Sequence, residues 1–79
     1  MEQLNKFKAE LDSAERTAKN TGQWKGEFEG SKVWIGDPSG SRTRQWEAQV
    51  MKDGKAVELR SRSFSSLKTQ ILRAVENQK

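Results

Sequence analysis

The sequence predicts an α+β, two-layer domain: an N-terminal helix, a three- to four-stranded antiparallel sheet and a C-terminal helix. Three observations lead there. Apolar residues recur at helical spacing near both ends of the chain, the period drops to two between them, and the middle stretch is punctuated by turn-forming pairs such as Asp53-Gly54.

At the N-terminal end, Leu4, Phe7, Leu11, Ala14 and Ala18 follow one another at steps of three and four and draw one apolar stripe along a helix within residues 1–20. Too few heptads are present for a coiled coil, so the stripe is expected to dock on a sheet. Asn20, Thr21 and Gly22 supply its end, because Asn and Gly accept the left-handed backbone that closes helices.

From Gln23 the alternation is that of strands, and the sheet is expected within 23–62. Trp24, Gly26 and Phe28 alternate with Lys25, Glu27 and Glu29, and Gly30-Ser31 offers a turn into a second strand, Lys32 to Gly36. Asp37-Pro38-Ser39-Gly40 ends that strand, with Pro suited to the second turn position and Gly to the last. In the third strand Arg44, Trp46, Ala48 and Val50 share one face, and Gln45, Glu47, Gln49 and Met51 the other. Asp53-Gly54 then marks a tight hairpin, whose central residues both need positive φ. The fourth strand turns Val57 and Leu59 inward and Glu58, Arg60 and Arg62 outward. Ser63 or Ser65 caps a last helix, 64–77, whose stripe is Phe64, Leu67, Ile71, Ala74 and Val75. Cap and strand end together account for the "RSRSFSS" string, which otherwise invites a phosphorylation reading. Two amphipathic helices on one side of a sheet leave its other face open to solvent.

With 79 residues the chain (1–79) is expected to form one domain with a thin core, too small to enclose a substrate. The hydrophobic fraction of 32% and mean hydropathy of -1.02 are low, yet the regular spacing of the apolar residues separates the chain from a disordered tract. There is no cysteine, hence no disulfide framework and no thiolate metal site. No apolar run reaches membrane-spanning length and no signal-peptide core opens the chain, so a soluble, cytoplasmic protein is expected, nuclear if the source is eukaryotic.

The chemistry of catalysis is sparse. His is absent as well as Cys, which excludes Ser-His-Asp and Cys-His arrangements and removes the commonest zinc ligands. Glu27 and Glu29, two apart on one strand face, are the nearest carboxylate pair for a cation or for acid/base work, against an ordinary solvated strand face. The "GEFEGSK" string has the wrong Gly spacing for a phosphate loop and its Ser-Lys in reverse order. No enzymatic activity, metal or cofactor is expected.

Charge carries more information. The net charge is +4 and the pI about 9.7. The first twenty residues balance Lys6, Lys8, Arg16 and Lys19 against Glu2, Glu10, Asp12 and Glu15. The excess lies downstream, where Arg42, Arg44, Lys52, Lys55, Arg60, Arg62 and Lys68 face Glu47, Asp53 and Glu58. Such a patch suits an anionic partner. Parity points Trp34 outward beside Lys32, where a ring with flanking cations stacks a base or anchors a protein contact. A one-residue slip would instead bury it, as expected of Trp24 and Trp46. Outward Glu27, Glu29, Glu47 and Glu58 dilute the cations of the sheet.

Residues 32 to 75 resemble the three-strand-plus-helix plan of plant AP2-type and phage-integrase arm-type DNA-binding domains, through "WEAQV" at 46–50, "KDGKAVEL" at 52–59, Phe64 and Ala74. That resemblance implies a sheet laid in the major groove, with Lys32, Trp34, Arg42, Arg44 and Arg60 in contact. The chain departs from the pattern in placing Arg60 after Leu59 where Gly is preferred, in lacking the arginine-rich first strand, and in adding a long N-terminal helix. The ending "FSSLKTQILRAVENQ" is also similar to single-strand-binding transcriptional cofactor domains, without their basic strand. The expected function is a small non-enzymatic nucleic-acid-binding module, DNA being the preferred ligand, that uses the open sheet face and the 37–44 loop. Its contact residues would be Lys32, Trp34, Arg42, Arg44, Lys52, Lys55, Arg60 and Arg62. The alternatives are a protein-interaction module or small phage or bacterial inhibitor gripping its partner through a mixed-charge sheet, and an accessory subunit of an enzyme. The sequence leaves the oligomeric state open.

Overall fold

The computed structural model describes residues 2 to 40 and 42 to 77, with side chains from Asn5 onward. Helix α1 (Glu2–Thr21) is followed by strands β1 (Gln23–Phe28) and β2 (Ser31–Gly36), a 3-10 turn (Pro38–Gly40), strands β3 (Trp46–Lys52) and β4 (Lys55–Ser61), and helix α2 (Phe64–Asn77). The strands form one antiparallel meander in the order β1-β2-β3-β4.

Local chemistry fixes each junction. Gly22, at φ 93°, donates its amide to the Ala18 carbonyl (2.7 Å) and closes α1, and the Thr21 hydroxyl lies within donating distance of the carbonyls of Thr17 and Gln23, which share its one proton. Both hairpins use two-residue turns with positive φ at each position, Glu29-Gly30 (47° and 84°) and Asp53-Gly54 (52° and 81°), which match the twist of the paired strands. The first turn therefore sits one residue earlier than Gly30-Ser31. Ser31 belongs to β2, paired with Phe28 and buried. The Asp37 carboxylate holds the Ser39 amide (3.0 Å) and hydroxyl (2.5 Å) to form the bend after β2. Ser63 caps α2, its hydroxyl accepting from the Ser66 amide at 3.3 Å.

One face of the sheet carries the core. Phe7, Leu11, Ala14 and Ala18 of α1 and Phe64, Leu67, Ile71 and Val75 of α2 close over Phe28, Val33, Ile35, Trp46, Ala48 and Val50. The expected place of Leu4 in the stripe lies outside the described side chains. Phe7 stacks on Phe28 (centroids 4.9 Å apart) and Phe64 meets Trp46 edge-on at 5.0 Å, so each helix is keyed to the sheet by an aromatic pair. Helix α1 lies chiefly on β1, whereas α2 is shared equally by β3 and β4. Lys68 and Asp12 join the two helices through an ion pair. Among the described residues, no helix is long and apolar enough to cross a membrane.

Three expectations about the inner face need correction. Trp24 is only partly buried, its ring leaning over Gly26 at the sheet edge. Arg44 does not share the inner face of β3, because it precedes the strand in left-handed backbone (φ 56°) and is exposed. Val57 faces the helix side by register but is 39% exposed, since β4 is an edge strand.

Candidate functional surface

The face of the sheet away from the helices is uncovered, and the register fixes its side chains as a grid. Across the middle run Lys25, Trp34, Gln49 and Glu58, one from each strand. On one side of that row lie Glu27, Lys32, Met51 and Ala56, and on the other Gln23, Gly36, Glu47 and Arg60.

Trp34 is outward, half-buried, and held in one orientation. Its indole N–H donates to Gln23 Oε1 at 3.0 Å, and its six-membered ring lies over Gly36, two residues on along the same face. A Cβ at position 36 would stand only 2.5 Å from the ring. Gly36 therefore lets the indole fold down onto the strand. Beside it runs a shallow groove of about 390 Å³ lined by Lys25, Glu27, Lys32, Trp34, Gln49 and Met51, the last 42% exposed. Gly36→Ala is expected to swing the ring away and break the Gln23 bond, at a cost of about 1 kcal/mol if Trp34 is driven off its rotamer. The check is the Trp34 indole N–H resonance in a ¹H–¹⁵N spectrum, which should move far more than the backbone amides of β3 and β4.

The fold divides the eight candidate contact residues into three groups. Lys32, Trp34 and Arg60 stand on the open face. Arg42 and Arg44 lie in the loop before β3, and Arg62 follows β4 at that same end of the sheet. Lys52 and Lys55 are the closing pair of the Asp53-Gly54 hairpin, at the opposite end and on the helix side by parity. Seven residues of strand separate the two ends by about 23 Å. The basic run of the sequence is thus not one patch.

The open face itself carries Lys25, Lys32 and Arg60 against Glu27, Glu47 and Glu58, and is neutral. Arg60 Nε lies 3.8 Å from Glu47, and Lys32 pairs across the strands with Glu27. Glu29 sits in the turn, not on the strand face, so it does not share that face with Glu27. Among the described residues there is no cluster of three or more potential metal ligands.

Sequence reasoning passed over Lys25, Gln23 and Gln49. Lys25 is the cross-strand neighbour of Trp34, and Gln23 orients its ring. The outward parity of Lys25 was legible, but its apposition to Trp34 depends on the hairpin register, which the misplaced turn hid. No protein-family model, curated protein or solved structure matches the chain.

Proposed function

We propose that the protein is a non-enzymatic binding module that takes single-stranded nucleic acid across its open sheet face, with a base stacked on Trp34. The reading rests on one observation above the others: the Trp34 ring is laid over Gly36 and pinned by Gln23, on the sheet face that no helix covers, and it stays partly exposed. A fixed aromatic ring with Lys25 and Lys32 beside it is a stacking platform that tolerates any base. Phosphates are served at the ends of the sheet, by Arg42, Arg44 and Arg62 at one and Lys52 and Lys55 at the other. The neutral centre then contributes stacking and not charge. Unpaired bases suit this surface better than a duplex, whose stacked bases offer no free ring to Trp34.

A protein partner is the second reading, favoured by the carboxylates of Glu27, Glu47 and Glu58 among the cations of the face. Fluorescence titrations with single-stranded DNA, single-stranded RNA and duplex DNA at several salt concentrations separate the two. Single strands are expected to bind more tightly than duplex. Trp34→Ala should weaken that binding about 5- to 150-fold, the equivalent of ~1–3 kcal/mol. Arg42→Ala and Arg44→Ala should each lower the salt slope by about 0.7 for every phosphate the side chain neutralises. Affinity weaker than about 10⁻⁴ M for all three nucleic acids at physiological salt would reject the proposal and turn attention to Trp34 as a protein anchor.

A further inference from the structure

We infer that the β4 edge pairs with the β4 edge of a second copy of this chain, about a two-fold axis at Val57, to make a continuous eight-stranded sheet. The inference stands whatever the open face binds. It starts from the alternation of hydrogen bonds in the β3–β4 hairpin. Across a two-residue turn, Lys52 and Lys55 form a bonded pair, so Val50–Val57, Ala48–Leu59 and Trp46–Ser61 are bonded too, and the amides and carbonyls of Ala56, Glu58 and Arg60 point out of the sheet. The fold already covers one of these groups: Gln70 Nε2 donates to the Arg60 carbonyl at 3.3 Å. Ala56 and Glu58 remain as a short template for another strand.

A second β4 running antiparallel, with Val57 opposite Val57, sets Ala56 of each copy against Glu58 of the other. Those two pairs exchange four hydrogen bonds and use every outward amide and carbonyl of Ala56 and Glu58. The Gln70 bond to Arg60 is left undisturbed. Val57, 39% exposed in the single chain, then lies against its own symmetry mate at the close spacing of a non-bonded pair.

The helix layer admits this arrangement at one edge only. Because α2 is shared equally by β3 and β4, its axis lies over their seam. One strand spacing of about 4.8 Å between the two β4 strands, with half a spacing from each β4 to its own seam, then places the two α2 axes about 9.6 Å apart, within the 8–10 Å of packed helices. The flank of α2 beyond β4, marked by Gln70, carries Ser66, Ala74 and Asn77, with the exposed Arg73 beside it. Helix α1, by contrast, sits chiefly on β1 itself. Pairing β1 with a second β1 would bring two α1 axes to about 5 Å, which is too close. An interface of one strand and one helix flank belongs with the small, transient class of less than about 1,200 Å², which fits a reversible dimer.

Sedimentation equilibrium of the full chain from about 10 μM to 1 mM tests the proposal. The expected mass rises from 9.0 kDa to twice that value over this range. Ala56→Pro removes only an outward amide and spares the β3–β4 ladder, so it should hold the protein monomeric with an unchanged far-UV circular dichroism spectrum. Val57→Lys should do the same by placing two cations at the axis. Glu58→Gln should tighten the dimer severalfold, because the two Glu58 carboxylates lie diagonal to one another on the outer face. A wild-type chain that stays monomeric at 1 mM overturns the inference and leaves the edge to an extended segment of another protein. A dimer indifferent to Ala56→Pro and Val57→Lys overturns it equally.

Discussion

Trp46→Ala is expected to remove about 3–5 kcal/mol of folding stability, the range for truncating a buried large aromatic side chain. Trp46 is 5% exposed, ends the inner face of β3, and receives Phe64 edge-on at 5.0 Å. That contact anchors the first turn of α2, so the loss reaches beyond one cavity. A chain of 79 residues has a total stability of only about 4–12 kcal/mol at roughly 0.05–0.15 kcal/mol per residue. The variant should therefore be largely unfolded at a mild urea concentration where the wild type is native. Urea titrations followed by far-UV circular dichroism provide the check. A midpoint shift equivalent to less than about 1 kcal/mol would mean that α2 is held without this side chain.

Leu11→Ala should cost about 2–5 kcal/mol, and removal of residues 1–19 should unfold the chain outright. Leu11 is fully buried at the middle of the α1 stripe, between the Phe7–Phe28 stack and the close packing of Ala14 and Ala18. Without α1, Val33, Ile35 and Phe28 would lose their cover, and a sheet with both faces wet at that edge has no core. Thermal melts distinguish the outcomes. A truncated chain that still melts cooperatively at the wild-type temperature would make α1 an appendage and not a wall of the core.

The architecture was legible because its signals are local. The stripes around Leu11 and Ile71, the alternation through Trp46 and Val50, and the Asp53-Gly54 turn each announce themselves within a few residues, and the fold agrees with all of them. What was hidden depended on register and on edges. Moving the first turn from Gly30-Ser31 to Glu29-Gly30 took Glu29 off the strand face of Glu27 and set Lys25 across from Trp34. Strand parity alone placed Val57 inside, because alternation cannot distinguish an edge strand from a central one. The basic segment misled for a related reason. Arg42, Arg44, Lys52 and Lys55 are near neighbours in sequence, yet an antiparallel strand carries two of them to one end of the sheet and two to the other. Linear charge density is not surface charge density once a hairpin intervenes.

The meander order bears also on how the molecule assembles. Every strand pairs only with the next in sequence, and both hairpins are closed by turns already biased towards their native backbone. The sheet and α2 can thus begin to form through short loop closures, which carry small entropic barriers. The Asp12–Lys68 ion pair is different, since it spans 56 positions of the chain and joins the two helices laid over opposite halves of the sheet. Closing so long a loop carries a larger entropic cost than closing either hairpin.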